Sequence, residues 1–271
     1  MVNETFTSKY RPILLGQFNI KELDESIHSF ISSGKFAILL TGNSGSGKTT
    51  ILHAAVRDYY GESISLSNDN ILSISSLKEQ GISYYRNEVR IFCQSSSTIP
   101  GKKKMLILDD LDIINEHGQQ VFTNCMDKYC HNVSFIASCT NIQKIIGSIQ
   151  SRMDIIKVRP NSSNELTIIA NNIIDKECIS LDPPVVDFII NVCNGSVRIM
   201  INYLEKFKLL NKHIDCELAS QLCTNISFKE LDKYTIYCKA KNHSSAMVVM
   251  NSFVNKGYAV ADILDSYFTY L

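Results

Sequence analysis

The sequence has no excess of charge of either sign, no closely spaced cysteine pair and no long apolar run. Its 27 basic residues equal its 27 acidic residues, so any contact with nucleic acid must come from a local basic patch. None of the nine cysteines forms a C-x-x-C pair, which argues against a zinc site and favours reduced thiols. No apolar run approaches the ~20 residues of a membrane-spanning helix, so we expect no membrane partner. Residues 1–12 contain no signal-peptide core, and we expect an intracellular protein.

A phosphate-binding loop occupies residues 42–50, which read G-N-S-G-S-G-K-T-T and match the pattern GxxxxGK[ST]. An apolar run at 36–40 precedes the loop as a buried strand and a helical stretch at 50–59 follows it, which argues against a chance Gly/Ser-rich turn. Glycines let the backbone wrap phosphates, Lys48 is expected to reach the β- and γ-phosphates of ATP, and Thr49 is expected to bind Mg²⁺. The predicted cofactor-binding residues of the loop are Gly42, Asn43, Ser44, Gly45, Ser46, Gly47, Lys48, Thr49 and Thr50.

A second apolar run, residues 106–108, ends in Asp109 and Asp110. A buried strand delivers carboxylates at its C-terminal end, where parallel sheets bind ligands. Asp109 is expected to hold Mg²⁺ with Thr49, and Asp110 to orient or deprotonate the water that attacks ATP. A strand that ends in a solvated acidic turn would look the same in isolation, so this Walker B interpretation depends on the phosphate loop upstream.

The organisation of the chain changes at residue 160. Before it, strand-like runs alternate with helical patterns, which predicts a parallel sheet with helices on both faces. After it, helical periodicity takes over, so we predict an α/β domain at 1–160, a small helical domain at 161–213 and a further helical segment at 214–271. The expected strands are residues 36–41, 64–66, 105–108, 133–139 and 155–158, and the helices expected between them include 83–93 and 119–129.

Three short motifs lie outside the nucleotide loops: residues 8–12 read S-K-Y-R-P, residues 144–153 read K-I-I-G-S-I-Q-S-R-M, and residues 195–198 read G-S-V-R. These motifs resemble those of the small subunits of replication factor C, the clamp-loader branch of the AAA+ ATPases. There they read KYRP, K-I-I-x-x-I-Q-S-R-C and G-D-x-R. The resemblance covers residues 8 to about 210. It implies an α/β AAA+ P-loop sheet with flanking helices, then a helical lid domain and a short collar-like helical domain.

The resemblance assigns roles at the adenine end of the nucleotide and at the fourth strand. Tyr10, Arg11 and Pro12 match the N-terminal motif and would border the adenine. Thr140 falls at the family's sensor-1 position, four residues before the lysine of the second motif, and would contact the attacking water or the γ-phosphate. Asn141 is adjacent and could serve instead.

Two arginines receive roles from the same resemblance. Arg152 would be the arginine finger, acting in trans on the nucleotide of a neighbouring subunit, and Arg198 would be sensor 2 on the lid. Together with Asp110 and Thr140 they form the predicted catalytic set. The planar fork of arginine pairs with phosphate oxygens in bidentate fashion, which suits both roles. The alternative for each arginine is a surface salt bridge.

A possible DNA-binding helix lies at residues 81–90, which read G-I-S-Y-Y-R-N-E-V-R and resemble the family's R-G-I-x-x-V-R helix. Arg86 and Arg90 are four residues apart and share one helix face, so they would contact phosphates of primer–template DNA without reading its bases. A solvated helix face explains the same spacing. The lysine run at 102–104 is expected to be an exposed loop.

The resemblance implies an ATP-dependent clamp-loader subunit that helps open a sliding clamp and load it on primed DNA during replication. The expected cofactors are ATP and Mg²⁺. The expected partners are homologous subunits of a hetero-oligomeric ring, a pentamer, together with the sliding clamp and primer–template DNA. Such a protein would act in a nucleus or a viral replication compartment.

The chain departs from the family at several positions of the site. Asp110 replaces the Walker B glutamate, and a carboxylate one methylene shorter positions water less well. Met153 replaces the cysteine of the S-R-C motif, while Asn43 and Ser44 replace two prolines. These changes affect turnover more than binding, so an ATP-binding structural subunit with little or no hydrolysis is the second interpretation.

Two other classes share the phosphate loop. Small-molecule kinases carry an arginine-rich lid, whereas residues 161–210 contain Arg198 as their sole arginine. Origin-binding and other AAA+ proteins normally add a DNA-binding winged helix, and residues 213–271 are short for one.

Overall fold

The computed structural model describes residues 4–18, 21–33, 36–61, 68–75, 85–223 and 225–270. The chain forms two compact units, one from Arg11 to Pro160 and one that joins the residues up to Tyr10 to those from Asn161 onward. The sequence prediction placed residues 1–160 in one domain. The structure instead groups residues 4–10 with the helical unit, because Phe6 of helix α1 (Phe6–Lys9) lies in the apolar core of that unit. The boundary proposed at residue 213 stays a prediction.

The unit from Arg11 to Pro160 is built on a parallel sheet. Its strands are β1 (Ala37–Thr41), β2 (Ile71–Ser75), β3 (Lys104–Asp109), β4 (Val133–Cys139) and β5 (Asp154–Lys157). In the described ranges the order is β2-β3-β4-β1-β5, and every paired strand is parallel. The residues of β4 are all buried, because a central strand of a parallel sheet is covered on both faces.

Helices and short helical turns surround this sheet. The helices are α2 (Lys21–Ser33), α3 (Lys48–Tyr60), α4 (Arg90–Gln94), α5 (Glu116–Tyr129) and α6 (Gly147–Gln150), and a π-helical turn (Tyr85–Val89) leads into α4. Neighbouring residues of β4 point to opposite faces, so Phe135 packs with one apolar cluster and Ile136 with another. The sheet therefore separates two apolar cores, one on each face.

The second unit is helical throughout its described part, apart from one isolated bridge. Its helices beyond α1 are α7 (Ser163–Glu177), α8 (Pro183–Val192), α9 (Val197–Leu210), α10 (Cys216–Leu222), α11 (Phe228–Lys239), α12 (His243–Asn255) and α13 (Val260–Tyr270). Ser162 and Glu165 form a reciprocal capping box that begins α7, and prolines at the first turn begin α8. None of the helices in the described residues is long and apolar enough to cross a membrane.

The predicted fold class is confirmed: a parallel sheet with flanking helices is followed by a helical region. The strand predicted at 64–66 lies outside the described residues, and β2 was not predicted. The lysine run at 102–104 is not an exposed loop. Lys104 is buried in β3, where its Nζ donates to the Phe92 carbonyl oxygen at 3.2 Å and to Ser95 Oγ at 2.5 Å.

Candidate nucleotide-binding site

The phosphate loop joins the C-terminal end of β1 to the start of α3. A Cβ atom at Gly42 would lie 2.5 Å from the Val158 carbonyl oxygen, so the close approach of these two backbone segments requires glycine. Gly47 has a φ of 93°, which also favours glycine. Helix α3 begins at Lys48, within the loop motif, and its N-terminus carries a partial positive charge.

Lys48 is a buried cation, with 6% of the residue exposed. Its Nζ donates to the carbonyl oxygens of Gly42 and Asn43, both at 2.9 Å, and it forms no ion pair within the described residues. Burial lowers the pKa of Lys48, although the nearby Asp110 carboxylate opposes the shift. In the same loop the buried Ser46 Oγ has no hydrogen-bond partner among the described atoms. A buried ammonium that contacts no carboxylate and an orphaned hydroxyl both fit the phosphates of a nucleotide.

The side chains of Thr49 and Asp109 meet at the C-terminal ends of β1 and β3. Thr49 Oγ1 donates to both carboxylate oxygens of Asp109, at 3.0 Å each. A hydroxyl and a carboxylate are ligands that Mg²⁺ prefers in nucleotide sites, where substrate phosphates supply further oxygens. The described residues contain no group of three or more His, Cys, Asp or Glu side chains that could hold a metal by themselves. Thr49 and Asp109 would therefore hold Mg²⁺ together with the nucleotide.

Ser138, which the sequence analysis missed, holds both acidic residues in place. Its Oγ donates to Asp109 Oδ1 at 2.6 Å and accepts from the Asp110 N–H at 3.0 Å. Asp110 has a φ of 52°, in the left-handed region that non-glycine residues adopt rarely. Ser138 is fully buried near the end of β4, and a serine so close to the C-terminal end of a predicted buried strand is the signal that could have identified it.

Asp112 is a second residue that the analysis did not identify, and it engages the sensor-1 candidate. One oxygen, Oδ2, accepts from Thr140 Oγ1 at 2.5 Å, from the Thr140 N–H at 3.2 Å and from the Asn141 N–H at 3.1 Å. Burial raises the pKa of Asp112, but these hydrogen bonds outweigh it, so the pKa lies below its ordinary value. Thr140 lies just after β4, at the same edge of the sheet as Asp109, and its catalytic role stays a prediction.

Gln119 clamps the loops that follow β3 and β4. Its Nε2 donates to the carbonyl oxygens of Ile114 at 2.9 Å and Lys144 at 3.0 Å, and its Oε1 accepts from the Ile146 N–H at 2.9 Å. The side chain is buried in the first half of α5. It therefore fixes α5 to the C-terminal edge of the sheet, where the phosphate loop lies.

Arg152 lies at the opposite, N-terminal edge of the sheet. It precedes β5 by two residues and lines a groove with Phe36 and Val133, which lie at the starts of β1 and β4. Its Nε and Nη2 donate to the two carboxylate oxygens of Asp127 at 2.7 and 3.1 Å, and its Nη1 donates to the Ser148 carbonyl oxygen at 2.6 Å. The structure does not bring Arg152 near the phosphate loop of its own chain.

The three residues predicted at the adenine end are divided between the units. Tyr10 belongs to the helical unit, where its hydroxyl donates to Glu177 Oε1 at 2.5 Å. Arg11 begins the other unit, and its Nη2 donates to the Thr49 carbonyl oxygen at 3.3 Å. Pro12 is partly buried next to it. Contact of these residues with adenine stays a prediction.

The remaining predicted arginines lie on helices. Arg198 is exposed in the first turn of α9, in the helical unit. Arg90 is exposed at the start of α4, and Arg86 lies in the π-helical turn before it. Residues 81–84 of the predicted DNA-binding motif lie outside the described residues. The roles of these arginines stay predictions.

Comparison with known proteins agrees with this geometry. Residues 38–161 match the sequence model of the ATPase family associated with various cellular activities (AAA). The replication factor C small subunit of Methanocella arvoryzae is 26% identical over 266 residues, which span 97% of this chain and 82% of that protein. The replication factor C small subunit of Methanoculleus marisnigri is 29% identical over 227 residues, which span 83% of this chain and 70% of that protein.

Solved structures of Thermotoga maritima RuvB share the fold. One structure of RuvB, described as a Holliday junction branch migration motor, matches with a TM-score of 0.62 at 13% identity, covering 86% of this chain and 80% of that one. A point mutant of the same protein matches with a TM-score of 0.62 at 12% identity, covering 92% and 89%. At such low identity the likeness concerns the fold alone.

Proposed function

Because this chain is a divergent relative of the replication factor C small subunits and carries an AAA ATPase domain, we propose that it is an ATP-dependent clamp-loader subunit. It binds ATP and Mg²⁺ and helps to open a sliding clamp and load it on primed DNA. The observation that carries the proposal is the meeting of Lys48, Thr49 and Asp109 at one edge of the sheet. Lys48 receives the phosphates, and the other two hold Mg²⁺.

Arg152 acts in trans under this proposal. The strands run parallel, so the end of β1 that carries the phosphate loop and the start of β5 beside Arg152 are at opposite edges. A strand of four or five residues, at roughly 3.3 Å per residue, separates these edges by roughly 13–17 Å. An arginine side chain cannot span that distance around the sheet. Any ATP that Arg152 contacts is therefore bound to a neighbouring subunit.

The partners follow from the same proposal. Homologous subunits form a pentameric ring in which each interface pairs one nucleotide with one arginine finger. Arg86 and Arg90 contact phosphates of primer–template DNA, so binding is independent of sequence and weakens with salt. The chain then acts where DNA is replicated, in a nucleus or a viral replication compartment.

Copurification tests the proposal most broadly. The tagged chain is isolated from its native source in the presence of ATP, with the Lys48→Ala variant as a matched control that retains the fold but lacks the phosphate-binding cation. Related ATPases and a ring-shaped clamp should be recovered with the wild type, and recovery of the clamp should fall with the variant. Recovery of the chain alone, or with an unrelated complex, contradicts the proposal.

A second function has one observation in its favour, the aspartate at position 110. An ATP-binding structural subunit would need the phosphate loop and Arg152 but little hydrolysis at its own site. The change Asp110→Glu separates the two functions, because it restores the longer carboxylate. A gain in turnover of about tenfold or more favours the structural subunit, since misplacement by about 1 Å can cost as much as 100-fold. No gain favours an enzyme adapted to aspartate.

A further inference from the structure

We propose that Asp127 is the positioning residue that aims Arg152 at the nucleotide of the neighbouring subunit. This inference rests on the proposed trans role of Arg152. Asp127 lies in the last turn of α5, and its carboxylate receives both Nε and Nη2 of Arg152, at 2.7 and 3.1 Å. Two parallel hydrogen bonds fix the plane of the guanidinium as well as its place.

The pattern of donors leaves one end of the guanidinium for a ligand. Arginine has five N–H donors, and Asp127 and the Ser148 carbonyl oxygen use three of them. The two others lie on Nη1 and Nη2, and the contact of Nη1 with Ser151 Oγ is long, at 3.4 Å. The outer end of the fork therefore keeps the donors that a phosphate group would need.

Stability of the fold does not explain the pair. The Arg152 and Asp127 side chains are 36% and 52% exposed, and ion pairs that water reaches contribute little to folding. An acidic residue in the last turn of a helix also opposes the helix dipole. The arrangement therefore serves orientation, because it holds a long, flexible side chain in one rotamer without burying its charge.

The helix that carries Asp127 is itself held firmly. Gln119, two turns earlier on α5, is buried and bonded to the loops that follow β3 and β4. Cys125 and Met126, next to Asp127, pack into the core beneath the sheet. Asp127 thus holds Arg152 from a rigid helix, as a residue that orients a catalytic group must do.

The test uses the full-length chain in the complex it forms with its native partners. Turnover is measured for Asp127→Asn, Asp127→Glu, Arg152→Ala and the double variant, together with the KM for ATP and the melting temperature. The matched control is Asp154→Asn, which removes an exposed carboxylate from the same groove. Asp127→Asn should lower kcat by roughly 10- to 100-fold, with KM and melting temperature unchanged.

The other variants separate the possible outcomes. Asp127→Glu should recover most of the turnover, Asp154→Asn should match the wild type, and the double variant should be no slower than Arg152→Ala. If Arg152→Ala lowers turnover but Asp127→Asn does not, the positioning role is wrong and the trans role stands. If Asp127→Asn raises turnover, Asp127 restrains the finger and the inference is overturned. If Arg152→Ala leaves turnover unchanged, the trans role fails, and the inference fails with it.

Discussion

Lys48 and Arg152 carry the same charge at opposite edges of one parallel sheet, yet their surroundings differ in burial and in partners. Lys48 is 6% exposed and is held by two carbonyl oxygens. The Arg152 side chain is 36% exposed and is held by the carboxylate of Asp127. The first cation is buried and contacts carbonyl oxygens but no carboxylate, which suits an anion that arrives from outside. The second keeps its charge in contact with water and is restrained in direction, which suits a group presented to another molecule.

The energetics of the two cations differ accordingly. Burial lowers the pKa of Lys48, whereas the hydrogen bond with Asp127 raises the pKa of Arg152. A bound triphosphate would place negative charge beside the Lys48 ammonium and reverse the effect of burial. The two cations therefore suit different roles, and the groups that each side chain contacts indicate its role better than the residue type does.

The largest predicted effect is the loss of turnover on removing the Arg152 guanidinium from the N-terminal edge of the sheet. Arg152→Ala should lower ATP turnover in the assembled complex by about 10³- to 10⁵-fold, the range known for arginine fingers. The melting temperature should change little, because the ion pair is exposed. Steady-state ATPase assays on the complex, with Asp154→Asn as the control, measure this. An unchanged rate would mean that Arg152 is only a surface ion-pair partner.

The next effect concerns Gln119, which holds α5 at the C-terminal edge of the sheet, while the same helix carries Asp127 at the N-terminal edge. Gln119→Leu removes three hydrogen bonds of 2.9 to 3.0 Å from a buried site and leaves backbone groups unpaired. The free energy of unfolding should fall by about 1–3 kcal/mol. The exposed neighbour provides the control, since Gln120→Leu should change it by less than about 0.5 kcal/mol. Urea unfolding measures both variants. Equal losses of unfolding free energy would contradict the role of Gln119 in holding the two loops.

The smallest effect compares two carboxylates, Asp112 at the C-terminal edge and Asp127 at the N-terminal edge. Although burial acts against it, hydrogen bonding leaves the pKa of Asp112 below the ordinary value of 3.8. A carboxyl with a depressed folded pKa stabilises the fold above its unfolded pKa, and this stabilisation is lost as pH falls through the folded pKa. The wild type should therefore exceed Asp112→Asn in unfolding free energy at neutral pH, and the difference should shrink below pH 3.8.

Asp127→Asn is the control for this measurement. The hydrogen bond with Arg152 lowers the pKa of Asp127 as well, but water screens this exposed pair, so its variant should show a smaller dependence on pH. Urea unfolding from neutral pH to about pH 2.5 compares the two variants. A difference for Asp112→Asn that stays constant over this range would contradict the assigned hydrogen bonds.

The sheet could be predicted where a strand contains at least three adjacent apolar residues, as in β1, β3 and β4, because a central parallel strand is buried on both faces. β2, at the edge of the sheet, was missed, since Ser73 and Ser75 leave no more than two adjacent apolar residues in it. The phosphate loop and the acidic pair at the end of β3 were visible because each motif is contiguous.

The supporting residues of the site could not be predicted, because they act across distance in sequence. Ser138 contacts Asp109 from 29 residues away, and Asp127 contacts Arg152 from 25 residues away. Neither residue type nor local spacing indicates such a pairing, which depends on how the strands and helices pack. Lys104 illustrates the same limit, since its sequence neighbours suggest a loop and its position in β3 buries it.

The most direct test of the contrast between the two edges is ATP affinity, measured by calorimetry on the isolated chain with Mg²⁺ for the wild type, Lys48→Ala and Arg152→Ala. Lys48→Ala should weaken ATP binding by roughly 10- to 100-fold, because the variant loses the hydrogen bonds that the charged ammonium would donate to the phosphates. Arg152→Ala should leave the affinity within about twofold, because its charge is farther from the loop than the screening length. Equal weakening by both variants would place Arg152 at its own nucleotide and contradict the account.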